Sequence, residues 1–265
     1  LATDKYTQIR VAGYNQGDIL EIIGADGFKS NISIDVEDGQ TCGIKLNNVN
    51  LAGEREKPCI NIGENCNVTL VLAQDNLLRT GGIRVPESSV LTVRGNGDID
   101  IDVNNGKYFG IGNALNEKHG DLIFEQDGRV TISASGLRGV GIGSGRGGNI
   151  FINRGSYELE LRGQYGVGIG SLSGDRNISI MKCNLSCISM NTTGVAIGTM
   201  SGNTDITIAN TALKLECGGT ECVGVGTMNG SRCNVAVATS SVCVESLTSN
   251  FYGIGGGTDT NITID

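Results

Sequence analysis

A short phrase recurs through the C-terminal part of this chain and limits what it can fold into. It reads YFGIGN from Tyr108, GVGIGS from Gly139 and again from Gly166, GVAIGT from Gly194, CVGVGT from Cys222 and FYGIGG from Phe251. The starts lie 31, 27, 28, 28 and 29 residues apart. A near-constant period of this size is the signature of stacked repeats, in which one unit cannot bury its apolar face alone. Such bodies more often present long surfaces than deep pockets.

One unit, from Gly139 to Tyr165, contains three stretches of period-two alternation. Val140 and Ile142 alternate with glycine, Ile150 and Ile152 with Asn149 and Phe151, and Tyr157, Leu159 and Leu161 with Ser156, Glu158 and Glu160. Each reads as a short strand with one buried face. The segments between them, SGRGGN, NRGS and RGQYG, are rich in residues that tolerate left-handed backbone. Three strands and three turns per period describe one coil of an all-β, single-stranded parallel β-helix (β-solenoid) with a period of about 28 residues. Equivalent side chains then stack, and Ile111, Ile142, Ile169, Ile197, Val225 and Ile254 should form one interior ladder. A propeller blade needs four strands and about 40–50 residues, and the LxxLxL frame of leucine-rich repeats is absent. The chain therefore reads as one domain over 1–265. Residues 1–40 form an opening coil or cap, 41–107 shorter irregular coils, and 108–265 regular coils that continue beyond the fragment.

Composition excludes several classes. The 42 glycines show no Gly-X-Y period, so collagen is out. Strand-spaced Ile, Val and Leu argue against disorder. A net charge of −8 leaves no basic stripe to meet phosphates, so nucleic acid is not an expected partner. No apolar run approaches the ~18 residues of a membrane span. Leu1 is not an initiator Met and no signal pattern precedes the fold, so the chain reads as a piece of a longer protein with flanking domains. Nine cysteines cannot all pair internally. Cys217 and Cys222 flank GGTE and could close a small disulfide loop, but several cysteines read better as small buried apolar residues.

The phrases GVGIGS and GIGGG, each followed by a polar turn and a NITI- or DITI-like strand, resemble the glycine-rich β-helix repeat regions of bacterial cell-surface proteins. NVTLVLAQDNLLRTGGIRVPESSVLTVRGNGDIDI adds to the likeness, which covers roughly residues 60–265. Those regions are described as carbohydrate-binding or pectate-lyase-like. The resemblance implies a secreted or surface-anchored module, although the six cysteines after residue 180 depart from its Gly/Thr-rich pattern.

Three candidate sites follow. If Val140 and Ile142 both face inward, then Gly110, Gly141, Gly168, Gly224 and Gly253, with Ala196, face outward as a flat strip on which a polysaccharide or another chain could lie. The companion column Gly112, Gly143, Gly170, Gly198, Gly226 and Gly255 reads as turn glycines at positive φ. Tyr108, Tyr165, Phe251 and Tyr252 sit beside the strip, and Tyr108, Tyr165 and Tyr252 are the candidate sugar platforms. In GDIDIDV, Asp98, Asp100 and Asp102 share an outer face, with Glu158, Glu160, Glu216 and Glu245 as outward acids of the same sheet. No cofactor is expected beyond a Ca²⁺ ion, which two of the three aspartates and an oxygen of a neighbouring coil could hold, since same-face residues ~6.6–7 Å apart are too widely spaced for all three; the competing reading is a solvated face.

Catalytic groups are scarce. His119 is the only histidine, so a nucleophilic triad would depend on it. A lyase would use Lys or Arg as base, and Arg129 and Arg162 lie in the acidic sheet. The leading expectation is an extracellular binding or adhesion module, not an enzyme, whose partner is a polysaccharide or host surface protein. A pectate-lyase-like lyase or hydrolase and a structural stalk are the alternatives.

Overall fold

The computed structural model describes residues 7–14, 16–25, 28–54, 56–104, 107–230 and 232–265. Leu1 and the start of the expected cap lie outside the described residues. These residues contain no helix and wind into a parallel β-solenoid of about 9 turns with a roughly 28-residue period. Among the described residues no helix is long and apolar enough to cross a membrane.

Each coil has three faces. A ten-stranded sheet, running from Ile19–Ile23 through Gly148–Ile152 and Arg176–Met181 to Asp259–Ile264, forms the first face. The second, acidic face runs from Asn50–Ala52 through Asp75–Arg79 and Asp98–Val103 to Ser241–Ser246. The third, or glycine, face begins at Thr7–Val11 and passes through Ile32–Val36, Ile60–Ile62, Ile83–Arg84 and Ile111–Gly112. It continues in the C-terminal halves of Arg129–Ser144, Gly155–Ser171 and Cys183–Ser201, and ends at Asn250–Gly255.

The expected ladder forms, and it extends further toward the N-terminus. Ile9, Ile34, Ile60, Ile83, Ile111, Ile142, Ile169, Ile197, Val225 and Ile254 are successive register partners. The described residues of the opening stretch and of 41–107 thus use the same three faces as the regular repeats. Irregular spacing is absorbed by loops, which tolerate length changes at little cost. A β-branched residue stacked on its equivalent at ~4.8 Å suits a pleated, fully buried position.

Four of the six repeat phrases end in a hydroxyl that anchors a loop. Ser144, Ser171, Thr199 and Thr227 are fully buried. Ser144 Oγ donates to Gly147 O (3.1 Å), Ser171 Oγ to Ser173 O (2.6 Å), Thr199 Oγ1 to Ser201 O (2.9 Å) and Thr227 Oγ1 to Gly202 O (3.1 Å). Each bond satisfies a buried hydroxyl; the first three turn the chain back locally, and that of Thr227 ties its corner to the preceding coil. Cys217 and Cys222 form a disulfide across the corner between the acidic and glycine faces. The other seven cysteines are free, six of them buried, and Cys243 is exposed. Desolvation raises the Cys187 thiol to about 12 and the Cys59 and Cys183 thiols to about 11, which keeps them inert apolar filler.

Candidate functional site

The glycine strip faces the core, and the valines face out. A Cβ on Gly110 would lie 2.7 Å from Ile132 Cγ2, on Gly168 2.6 Å from Cys187 Sγ, and on Gly224 2.6 Å from Val244 Cγ1. On Gly141 it would lie 2.7 Å from Gly168 O and 3.5 Å from Leu159 Cδ2. Gly110, Gly141, Gly168 and Gly224 are therefore buried filler positions, and the expectation of a side-chain-free binding strip is corrected for them. Gly253, in the last coil, is half-buried, with only the Phe251 ring nearby, at 3.8 Å.

The reason is local. Register runs Val140↔Val167, then Ile142↔Ile169, and skips residue 141. Strict alternation breaks there, so both 141 and 142 address the core. Val140, Val167, Val195 and Val223 instead form a second cluster with Phe109 and Met200, separate from the main core. The loops that follow the repeat phrases bring Leu115, Leu172 and Met228 over these valines. Sequence alternation put Val140 and Ile142 on one face; the structure puts them on opposite faces, both buried.

The three tyrosines do not come together. Tyr252 is the register partner of Val223 and is 55% exposed at the end of the outer ladder. Tyr165 is the partner of Arg138 and borders a cleft of about 300 Å³ on the outer cluster. Tyr108 borders a different groove of about 420 Å³ at the N-terminal end of the glycine face.

The Tyr108 groove is polar. Its floor carries Gln8, Ser33, Asp35 and Asn61, and its walls carry Glu54, Glu56, Lys57, Lys107 and Tyr108. Ser33 Oγ donates to Asp35 Oδ2 (3.1 Å), Asn61 Nδ2 to Asp35 Oδ1 (3.0 Å) and Arg84 Nη1 to Asn61 Oδ1 (3.3 Å). Asp35, Asn61 and Arg84 are consecutive register partners, so three coils present one hydrogen-bonded row of planar polar groups. Lys107 Nζ stands 5.6 Å from the Tyr108 ring centroid. Glu56 holds a φ of 64° in the overhanging loop, a left-handed conformation that non-glycine residues adopt at a cost and that recurs at ligand sites. Of these residues only Tyr108 was singled out from sequence. The signal for Ser33, Asp35, Asn61 and Arg84 was in NISIDV, CINI and GIRV, whose polar positions align once the coils are put in register; nothing in the sequence marked the loop residues.

Asp98, Asp100 and Asp102 do face outward, between buried Ile99, Ile101 and Val103. They do not converge: no group of three or more His, Cys, Asp or Glu side chains suited to a metal ion occurs among the described residues. Asp98 accepts from the Arg129 backbone N–H (2.8 Å) and pairs with its guanidinium (3.2 Å). The row is a solvated, partly neutralised face, because same-face neighbours along one strand lie ~6.6–7 Å apart. Arg129 also reaches Glu158, and Arg162 pairs with Glu160, so both arginines suggested as bases are held by carboxylates.

His119 is buried at 2% exposure. Its Nδ1 lies 2.6 Å from Gly120 O and so donates there, leaving Nε2 as an unpartnered acceptor. Desolvation, reinforced by nearby Arg176, pushes the imidazole from 6.5 down to about 4. It is out of reach of a bulk substrate. As pH falls from 6.5 to about 4, the unfolded chain takes up a proton that the folded chain refuses. Stability is therefore lost across that window, by about 3 kcal/mol from this residue. Urea midpoints at pH 7 and pH 4.5 should differ less in His119→Gln than in the parent, and coincident pH slopes would contradict a neutral buried imidazole.

No family model, curated protein or solved structure matches this chain.

Proposed function

We propose that this chain is a binding module that holds a polysaccharide in the Tyr108 groove, as part of an extracellular or cell-surface protein. The observation that carries the reading is the hydrogen-bonded Asp35–Asn61 pair of adjacent coils in one groove with an aromatic ring, with Arg84 of the next coil bonded to Asn61 from behind. Sugar hydroxyls both donate and accept, and are read by planar side chains that between them do the same: here a carboxylate that accepts and an amide that does both; the apolar face of a sugar ring packs on an aromatic side chain. The row crosses adjacent coils at ~4.8 Å spacing, so successive hydrogen-bonding groups meet an extended ligand rather than a single small molecule. Lys57, paired with Glu54, and Lys107 line the groove together with Glu54 and Glu56, so that it has no one dominant sign. The Cys217–Cys222 disulfide supports an oxidising compartment.

A glycan array followed by calorimetry on the best oligosaccharide tests this. Tyr108→Ala and Asn61→Ala should each weaken binding about tenfold, or about 1.4 kcal/mol, with unchanged thermal unfolding. An intact protein that retains no glycan, or variants that bind like the parent, would remove the reading.

A further inference from the structure

The cleft bordered by Tyr165 has a different chemistry. In this chain of net charge −8, Arg10, Arg84, Arg94, Arg129, Arg154, Arg162 and Arg232 each pair with a carboxylate. Arg79, Arg138, Arg146 and Arg176 have no carboxylate within ion-pair reach among the described residues, although acids outnumber bases, and of these Arg138 and Arg146 come together. Both line the same cleft of about 300 Å³. Its apolar side chains are Leu115, Leu172, Met200 and the Tyr165 ring, all packed against the outer valine cluster. Arg146 rises from a pinned loop: its backbone N–H donates to Glu117 O (3.1 Å), and the next N–H, of Gly147, to Ser144 Oγ (3.2 Å).

We infer that this cleft binds a small organic acid, an apolar group bearing one carboxylate, with the apolar body on the outer cluster and the carboxylate between Arg138 and Arg146. Guanidinium pairs carboxylate through charge-assisted, frequently two-point hydrogen bonds, and an unneutralised arginine needs no partner displaced before it binds. The volume lies at the small end of ligand pockets, which run ~300–1,000 Å³ and combine an apolar lining with a few polar groups. The site is separate from the Tyr108 groove and stands or falls independently of it.

The test titrates ¹⁵N-labelled protein with 4-phenylbutyrate and with its neutral amide, 4-phenylbutyramide. The acid should shift backbone resonances at 115–116, 145–146 and 172–173, bind at least about tenfold tighter than the amide, and weaken as salt rises. Arg138→Gln and Arg146→Gln should each reduce affinity at least about fivefold while leaving resonances of distant coils unmoved; both side chains are exposed, so folding is not at stake. Equal binding of acid and amide, absence of shifts at these loops, or variants that bind like the parent would overturn the assignment. So would a peptide ending in a phenylalanine carboxylate that binds more than tenfold tighter than the free acid, since the occupant would then be a polypeptide.

Discussion

Gly170→Ala is expected to destabilise the solenoid by about 3 kcal/mol or more, a larger effect than one methyl group suggests. Gly170 has a φ of 133°, and a Cβ there would lie 1.8 Å from the carbonyl oxygen of Gly198 in the next coil. The obstacle is backbone on backbone, so no rotamer change relieves it. Either the two coils separate locally and lose ladder hydrogen bonds, or residue 170 abandons its left-handed conformation and the turn after it. Gly143 and Gly198 stand in the same relation to their own neighbours, with separations of 1.7 and 1.8 Å. Equilibrium urea unfolding of Gly170→Ala should show a markedly lower midpoint. An unchanged midpoint would mean that the coils are not stacked at this spacing.

Val167→Asp should cost about 4 kcal/mol, because it places a carboxylate in a fully buried apolar cluster. Val167 is fully buried although its side chain stands on the outer side of the sheet. Thr207→Asp supplies the control: it is an outward position of the first face left open to solvent, and its cost should stay within about 0.5 kcal/mol. Equal, small effects at both sites would show that the loops do not cover the valine ladder.

These two substitutions mark how far the sequence could be read. The isoleucine ladder was legible because the 28-residue period and two-residue alternation agree from Ile111 to Ile254. Its extension to Ile9 was hidden, because loops of changing length obscure the period between residues 41 and 107. The outer ladder was misread for a sharper reason. In GVGIG, a strand of ideal pleat puts Val and Ile on one side; only the skipped pairing at 141, which glycine permits, puts them on opposite sides. Loop residues such as Leu115 and Leu172 then cover the valines, and nothing in alternation alone announces that tertiary event. The same account explains why the glycines offered no binding strip. At the Tyr108 groove the ring was visible in sequence, but the row Asp35–Asn61–Arg84 depends on a register between three coils of unequal length. The aspartates of GDIDIDV show the converse: facing was read correctly, yet one strand spaces its same-face carboxylates too widely to converge.

All of this rests on coils wound in register along one axis. Thr69, Thr92, Ile123, Phe151, Ser179, Thr207, Ala236 and Thr263 are successive partners on the first face. Pulsed electron resonance between spin labels at 69 and 263, and at 92 and 236, in a Cys243→Ser background, measures that axis directly. Seven and five steps of ~4.8 Å predict separations of about 34 and about 24 Å. Distances that fail to grow with the number of coils between the labels would contradict the winding.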